Sequence, residues 1–218
     1  MPFVVEMSRS NEFDYPVIAE RINIPEGTNI SWNTVIEFSD EIGCFVVIDR
    51  RYIRLISGHT IIESYEISTG KRLGIFQRPR NPEFVIYAYR RVITGCAVGV
   101  RFPFVDLEDG VKKEVATFWH FTLKAENPEE LVKEAAIAEN GKITAVYCIF
   151  ALREKANLNG IIEQVISRKL REVPFIEIRT KLVEISNEII NIFHENGGVE
   201  HIGFDIESCT LGDIRIAE

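Results

Sequence analysis

Over its first two-thirds the chain runs in short stretches of alternating apolar and polar residues, the period-two signature of half-buried strands. Residues 15–24 carry spaced apolar side chains and end in Pro25-Glu26-Gly27, a turn. Thr34, Ile36 and Phe38 then alternate, and Cys44 to Ile48 form a continuous β-branched and aromatic run. A further strand at 53–57 meets the turn Ser57-Gly58-His59-Thr60, after which residues 61–68 are expected to resume an extended course up to Ser68-Thr69-Gly70. Residues 77–82 hold two prolines in six positions and predict loop or sheet edge. Strands are expected again at 84–89, 96–102 and 111–125. In the last, Val115, Thr117, Trp119, Phe121 and Leu123 share one face while Ala116, Phe118, His120 and Thr122 share the other. Bulk on both sides predicts a strand covered by two packed layers or by a neighbouring subunit.

The pattern changes at Asn127-Pro128-Glu129-Glu130, a helix start with Asn as cap and Pro in the first turn. That helix is expected to end near Asn140-Gly141. Helix is also expected over 142–156, although ITAVYCIF alone could be a strand, and again to about Glu172. After Pro174, the residues Phe175, Ile178, Leu182, Ile185, Ile189 and Ile192 fall at alternating steps of three and four. This is a heptad seam, flanked by Ile176, Val183 and Ile190 at seven-residue spacing. It suits a long amphipathic helix packed on its own sheet or a helix at an intersubunit contact. Asn196-Gly197-Gly198 predicts the exit, and a last strand is expected over about 199–210. The fold class is therefore α+β, with a twisted, mostly antiparallel sheet packed against C-terminal helices. A single domain over 1–218 is expected, β-rich over 13–125 and helical over 127–197.

Charge adds one feature. The net charge of −8 is distributed as −7 over residues 1–49, +7 over 50–101 and −8 over 102–218. The basic segment contains Arg50, Arg51, Arg54, Lys71, Arg72, Arg78, Arg80, Arg90 and Arg91, interleaved with Tyr52, Phe76, Tyr87 and Tyr89. Such a cluster suits an anionic membrane surface or an acidic neighbour, ordinary solvation, or, against the overall charge, a nucleic acid. The longest apolar runs fall well short of the roughly 20 residues that cross a bilayer, and the N-terminus lacks a charged lead before an apolar core. A soluble, cytoplasmic protein is expected.

Catalytic and metal chemistry find little support. Cys44, Cys96, Cys148 and Cys209 are widely spaced, with no CxxC pair, and read as small hydrophobes in a reducing compartment. His59, His120, His194 and His201 lack metal-binding spacing, and no nucleophile elbow or phosphate loop occurs. Asp106, Glu108 and Asp109 could hold a cation but fail the calcium-loop template and read as an exposed acidic turn. No cofactor, metal or small-molecule substrate is expected. An enzyme would require a deep pocket joining a pair such as His120 and an acidic residue.

Asn23-Ile24-Pro25, Trp32, VIEFSDEIGCFVVIDR, SGHT at 57–60, FVIYAYRRV, VATFWHFTLKAENPEELV, IIEQVISRKLREV and NGGVEHIGFDIESCTL occur in an order that resembles the SPFH superfamily. This is the stomatin, prohibitin and flotillin group, also called Band 7; the likeness is nearest to its soluble virion core protein-like branch. Ser57 stands where that family's turn has Pro, and Glu126-Asn127-Pro128 where it has Asp-Pro. The resemblance implies a non-enzymatic homo-oligomeric scaffold at or near membranes, with an anionic surface or a membrane protein as partner. The seam at Phe175 to Ile192 would be its oligomerisation helix and the basic cluster its docking surface. The rival is a monomeric adaptor presenting that basic face to a protein or nucleic acid.

Overall fold

The computed structural model describes residues 2–8, 15–74, 77–78 and 82–217. The chain divides into two compact units, residues 1–91 with 127–144, and residues 92–126 with 145–218. Each unit therefore combines an early β segment with a later helical one. Together they form an α+β fold with mostly antiparallel sheets, C-terminal helices and a strand after the last long helix. Among the described residues no helix is long and apolar enough to cross a membrane.

In the first unit, β1 (Phe3–Val4) pairs in parallel with β3 (Ile36–Glu37). The main sheet takes β2 (Val17–Arg21), β4 (Ile42–Ile48), β5 (Arg51–Arg54), β6 (Val85–Arg90) and β9 (Lys142–Thr144) in the order β5-β4-β6-β2-β9. One face buries Ile42, Cys44, Val46, Ile53, Ile86 and Ala88 against Trp32 and α1 (Ile61–Thr69). Phe45, Tyr87 and Tyr89 point the other way, where α2 (Pro128–Ile137) crosses β2, β6 and β9. Covered on both sides, β4 and β6 read as near-continuous apolar runs. Gly43 is required here, since a Cβ would stand 2.3 Å from the Tyr89 ring.

The extended course expected over 61–68 is corrected to the helix α1. Thr60 accepts from the Glu63 N–H while the Glu63 carboxylate accepts from the Thr60 N–H, a complete capping box. That reciprocal bonding satisfies the first-turn amides and outweighs the β preference of Ile61 and Ile62. The expected helix at Asn127 is present as α2, although the Asn127 side chain makes no capping bond. Of the expected proline-rich loop, residues 79–81 lie outside the described residues.

The second unit is built on three 14-residue strands, β7 (Val92–Val105), β8 (Lys112–Ala125) and β10 (Phe204–Ala217), in the antiparallel order β10-β8-β7. α3 (Ala145–Phe150) and α4 (Leu158–Lys169) pack on β7, and α5 (Leu182–Glu195) on β10. Val115, Thr117, Trp119, Phe121 and Leu123 of β8 are buried beneath them, and the Trp119 Nε1–H donates to Thr117 Oγ1 at 3.0 Å. The opposite face of this unit's sheet is open, and Phe118 is 43% exposed. The expectation that both faces of this strand are covered is not met within the unit.

The heptad seam is not one continuous α-helix. Residues Phe175–Lys181 are a 3-10 helix and only Leu182–Glu195 are α-helical. At three residues per turn the first half does not keep the 3.5-residue stripe in register. The short α6 (Gly198–Ile202) then precedes the final strand, so His201 is helical rather than extended, and the strand runs to Ala217. Removing the α1 cap with Thr60→Ala should lower unfolding free energy by about 1 kcal/mol. Urea denaturation checks this; an unchanged midpoint would show that tertiary packing alone holds α1.

Candidate functional site

The basic cluster is spread over the first unit. Asp49 and Arg50 take positive φ at the tight β4–β5 turn, which places Arg50, Arg51 and Arg54 along an exposed hairpin at the sheet edge. Arg54 and Arg91 converge on Tyr89: burial pushes the phenol above its ordinary range, while both guanidiniums oppose the shift. The Lys133 ammonium lies 5.9 Å from the Tyr52 ring centroid. Arg90 is structural, its Nε donating to the Val17 carbonyl at 2.9 Å. Arg72 lines a shallow cleft beside α1 with Glu63 and Glu66, and exposed Lys71 follows that helix. Arg78 is half-buried; Arg80 and Phe76 lie outside the described residues. The structure thus places Arg50, Arg51 and Arg54 on one hairpin, with Arg91 at the other end of β4, and it buries Tyr87 and Tyr89, which leaves them unavailable for stacking.

Of the seam residues, Ile178, Ile185 and Ile189 are buried within the second unit, and Phe175, Leu182 and Ile192 are half-buried. The flanking series behaves differently. Ile176 is 77% exposed and Val183 76%, with Ile190 half-buried.

A second polar constellation, absent from the sequence reading, lies in the first unit. Glu20 is 3% exposed, and its carboxylate accepts from the Ser8 N–H, from Ser8 Oγ at 2.7 Å and from Lys142 Nζ at 3.2 Å. Lys142 Nζ also donates to Ser8 Oγ at 2.9 Å. The group borders a cleft of about 670 Å³ that Arg21, Asn23 and Asn140 also line. A nucleophilic serine needs a free base, whereas this circuit commits each of its members to another. It joins the N-terminal segment to β2 and β9. A charged residue inside an otherwise apolar strand is the signal that could have found it.

The remaining candidates resolve individually. The Lys113 ammonium sits 2.7 Å from both Asp106 Oδ2 and Asp109 Oδ2, the position a cation would take at the β7–β8 turn. Among the described residues no group of His, Cys, Asp and Glu is arranged for a metal. His120 is exposed and stands edge-on to Phe118 at 5.1 Å, between register partners Ala97 and Thr210. His194 Nε2 lies 2.5 Å from Asp205 Oδ1, a pair exposed to solvent. His59 lies at the turn before α1. All four cysteines are free and buried, and burial raises the Cys44 and Cys209 thiols to about 12. Cys148 and Cys96 meet, the Cys148 thiol donating, which lowers Cys96 and raises Cys148.

No protein-family model matches the chain, and no curated protein matches it by sequence.

The β7–β8 turn has a pH signature. Hydrogen bonds from Lys113 and from the Glu108 N–H hold the Asp106 carboxyl below its ordinary 3.8, and Lys113 with the Val111 N–H does the same for Asp109. A lowered folded-state value stabilises the fold fully above 3.8, and that contribution is lost as pH falls through the lowered values. Thermal melts from about pH 6 to about pH 2 should show a shallower acid loss in Asp106→Asn/Asp109→Asn than in the natural chain. Identical slopes would remove the turn from the acid response.

Proposed function

We propose that this chain is a non-enzymatic scaffold domain that self-associates through the outer side of its 175–192 segment. The observation carrying this reading is the exposure of Ile176 and Val183 beside a seam whose inner residues are already buried. Two large β-branched side chains left in water beside an amphipathic helix favour association with a matching surface, and a second copy provides one. The SPFH resemblance points the same way, since that family's members are oligomeric scaffolds. An SPFH-like fold of the virion core protein-like type is the finer form of this reading.

Light scattering after gel filtration tests it directly. The natural chain should show a mass above 24.9 kDa that grows with concentration, and Val183→Asp or Ile176→Lys should return it to the monomer value. Both positions are exposed, so both variants should keep the natural circular dichroism. A 24.9 kDa species at every concentration of the natural chain would overturn self-association.

A second reading, peripheral attachment to an anionic membrane, rests on the exposed arginine hairpin. Replacing Arg50, Arg51 and Arg54 by serine should weaken pelleting with vesicles containing phosphatidylserine, more at low than at high salt. Equal pelleting of variant and natural chain at low salt would refute it.

A further inference from the structure

The open face of the β10-β8-β7 sheet carries a built recess. Arg101 of β7 and Arg215 of β10 are both register partners of Ala116 on β8, so the three form one row across the sheet. Strand spacing puts the two arginine Cα atoms roughly 10 Å apart with only a methyl group between them. In the adjoining row, Phe118 stands with Gly99 on one side. On the other its register partner is Asp213, with Gly212 unpaired just before it where the register of β10 shifts. Its Cδ2 edge is 3.8 Å from where a Cβ on Gly99 would be, and its Cδ1 edge 3.4 Å from the corresponding point on Gly212. The ring therefore spans from strand to strand. One face meets His120, and the other looks over Ala116 into the space between the arginines.

The charges of this recess are not internally spent. Among the described residues Arg101 takes part in no ion pair, and Arg215 Nε reaches Asp213 Oδ2 only at 3.9 Å. Asp213 is shared with Arg179, also at 3.9 Å. The cleft, of about 610 Å³, is also lined by Arg153 and Asn159 and by the carboxylates Glu163 and Asp213. Arg153 is likewise without an ion pair among the described residues, and the buried Asn159 Oδ1 has no hydrogen-bond partner among them. The site thus offers guanidiniums suited to bidentate contact with an oxyanion, an exposed aromatic face for a flat ring, and an acceptor lacking a donor.

We infer that this recess binds a nucleotide unit, its phosphate between Arg101 and Arg215 and its base against Phe118. A phosphate alone leaves the ring and Asn159 unused; a nucleoside alone leaves the arginines repelling one another across Ala116. A nucleotide supplies the anion, the planar ring and hydroxyl or amino donors together. The unit comes either as a free mononucleotide or as part of a single strand. The inference uses residues separate from the Ile176 and Val183 surface, so it stands or falls independently of self-association.

Calorimetric titration with adenosine 5′-monophosphate, adenosine and inorganic phosphate tests it on the full chain. The monophosphate should bind at least about tenfold more tightly than either fragment, and Arg101→Ser, Arg215→Ser and Phe118→Ser should each weaken it about tenfold or more. All three side chains are exposed, so the variants should retain the natural far-ultraviolet spectrum. A short oligoadenylate that binds much more tightly than the monophosphate identifies a strand as the source; equal affinity identifies the free nucleotide. Absence of saturable binding at millimolar monophosphate, adenosine binding as well as its phosphate, or variants that bind like the natural chain would each overturn the inference.

Discussion

The strict alternation of β8 is the constraint on which the second unit depends. A 14-residue strand in the centre of a three-stranded antiparallel sheet has its backbone donors and acceptors committed on both sides, so its side chains alone decide which face is buried. Val115, Trp119, Phe121 and Leu123 fall on one face, each contributing about 1.5–3 kcal/mol when removed from water. A slip of one residue would expose all four and bury His120 and Lys124 instead. At the middle of the buried face the Trp119 indole N–H donates to the Thr117 hydroxyl, which in turn donates to the Val100 carbonyl, so both polar groups are satisfied. The helices of this unit pack against a surface that leaves them one choice of side.

The same constraint creates the open face. Once the apolar set is turned inward, Ala116, Phe118 and His120 are turned outward. Gly99 on β7 and Gly212 on β10 place no Cβ against the edges of the Phe118 ring, although its register partner on β10 is Asp213. Ala116 leaves the space between Arg101 and Arg215 unfilled. A surface that ordinarily carries interdigitating side chains instead has a hollow with an aromatic wall and unspent positive charge.

Much of the architecture was legible in the sequence. The strands expected within 15–24 and at 44–48, 84–89 and 111–125 are met by strands at 17–21, 42–48, 85–90 and 112–125, and the helix start at Asn127-Pro128 by the helix Pro128–Ile137. Two elements misled for identifiable reasons. Residues 61–68 were read by their β-branched content, although Thr60 and Glu63 already spelled the capping box that makes them helical. Phe175 to Ile192 was read as one continuous heptad helix, but periodicity counts residues and does not register a change from 3-10 to α geometry. The exposed flank at Ile176 and Val183 was visible as a second stripe, although burial alone shows which stripe the fold has already used.

The sequence by itself determined the α+β class, the positions of most strands and the burial of the four cysteines, because these depend on local composition and spacing. Tertiary structure decided what meets what. Glu20, Ser8 and Lys142 come from segments up to 134 positions apart. Arg101, Ala116 and Arg215 come from three strands whose alignment is set by hydrogen-bond register. Register is a property of the paired strands, enforced by the packing of the buried face, and no spacing along one chain encodes which arginine stands opposite which alanine.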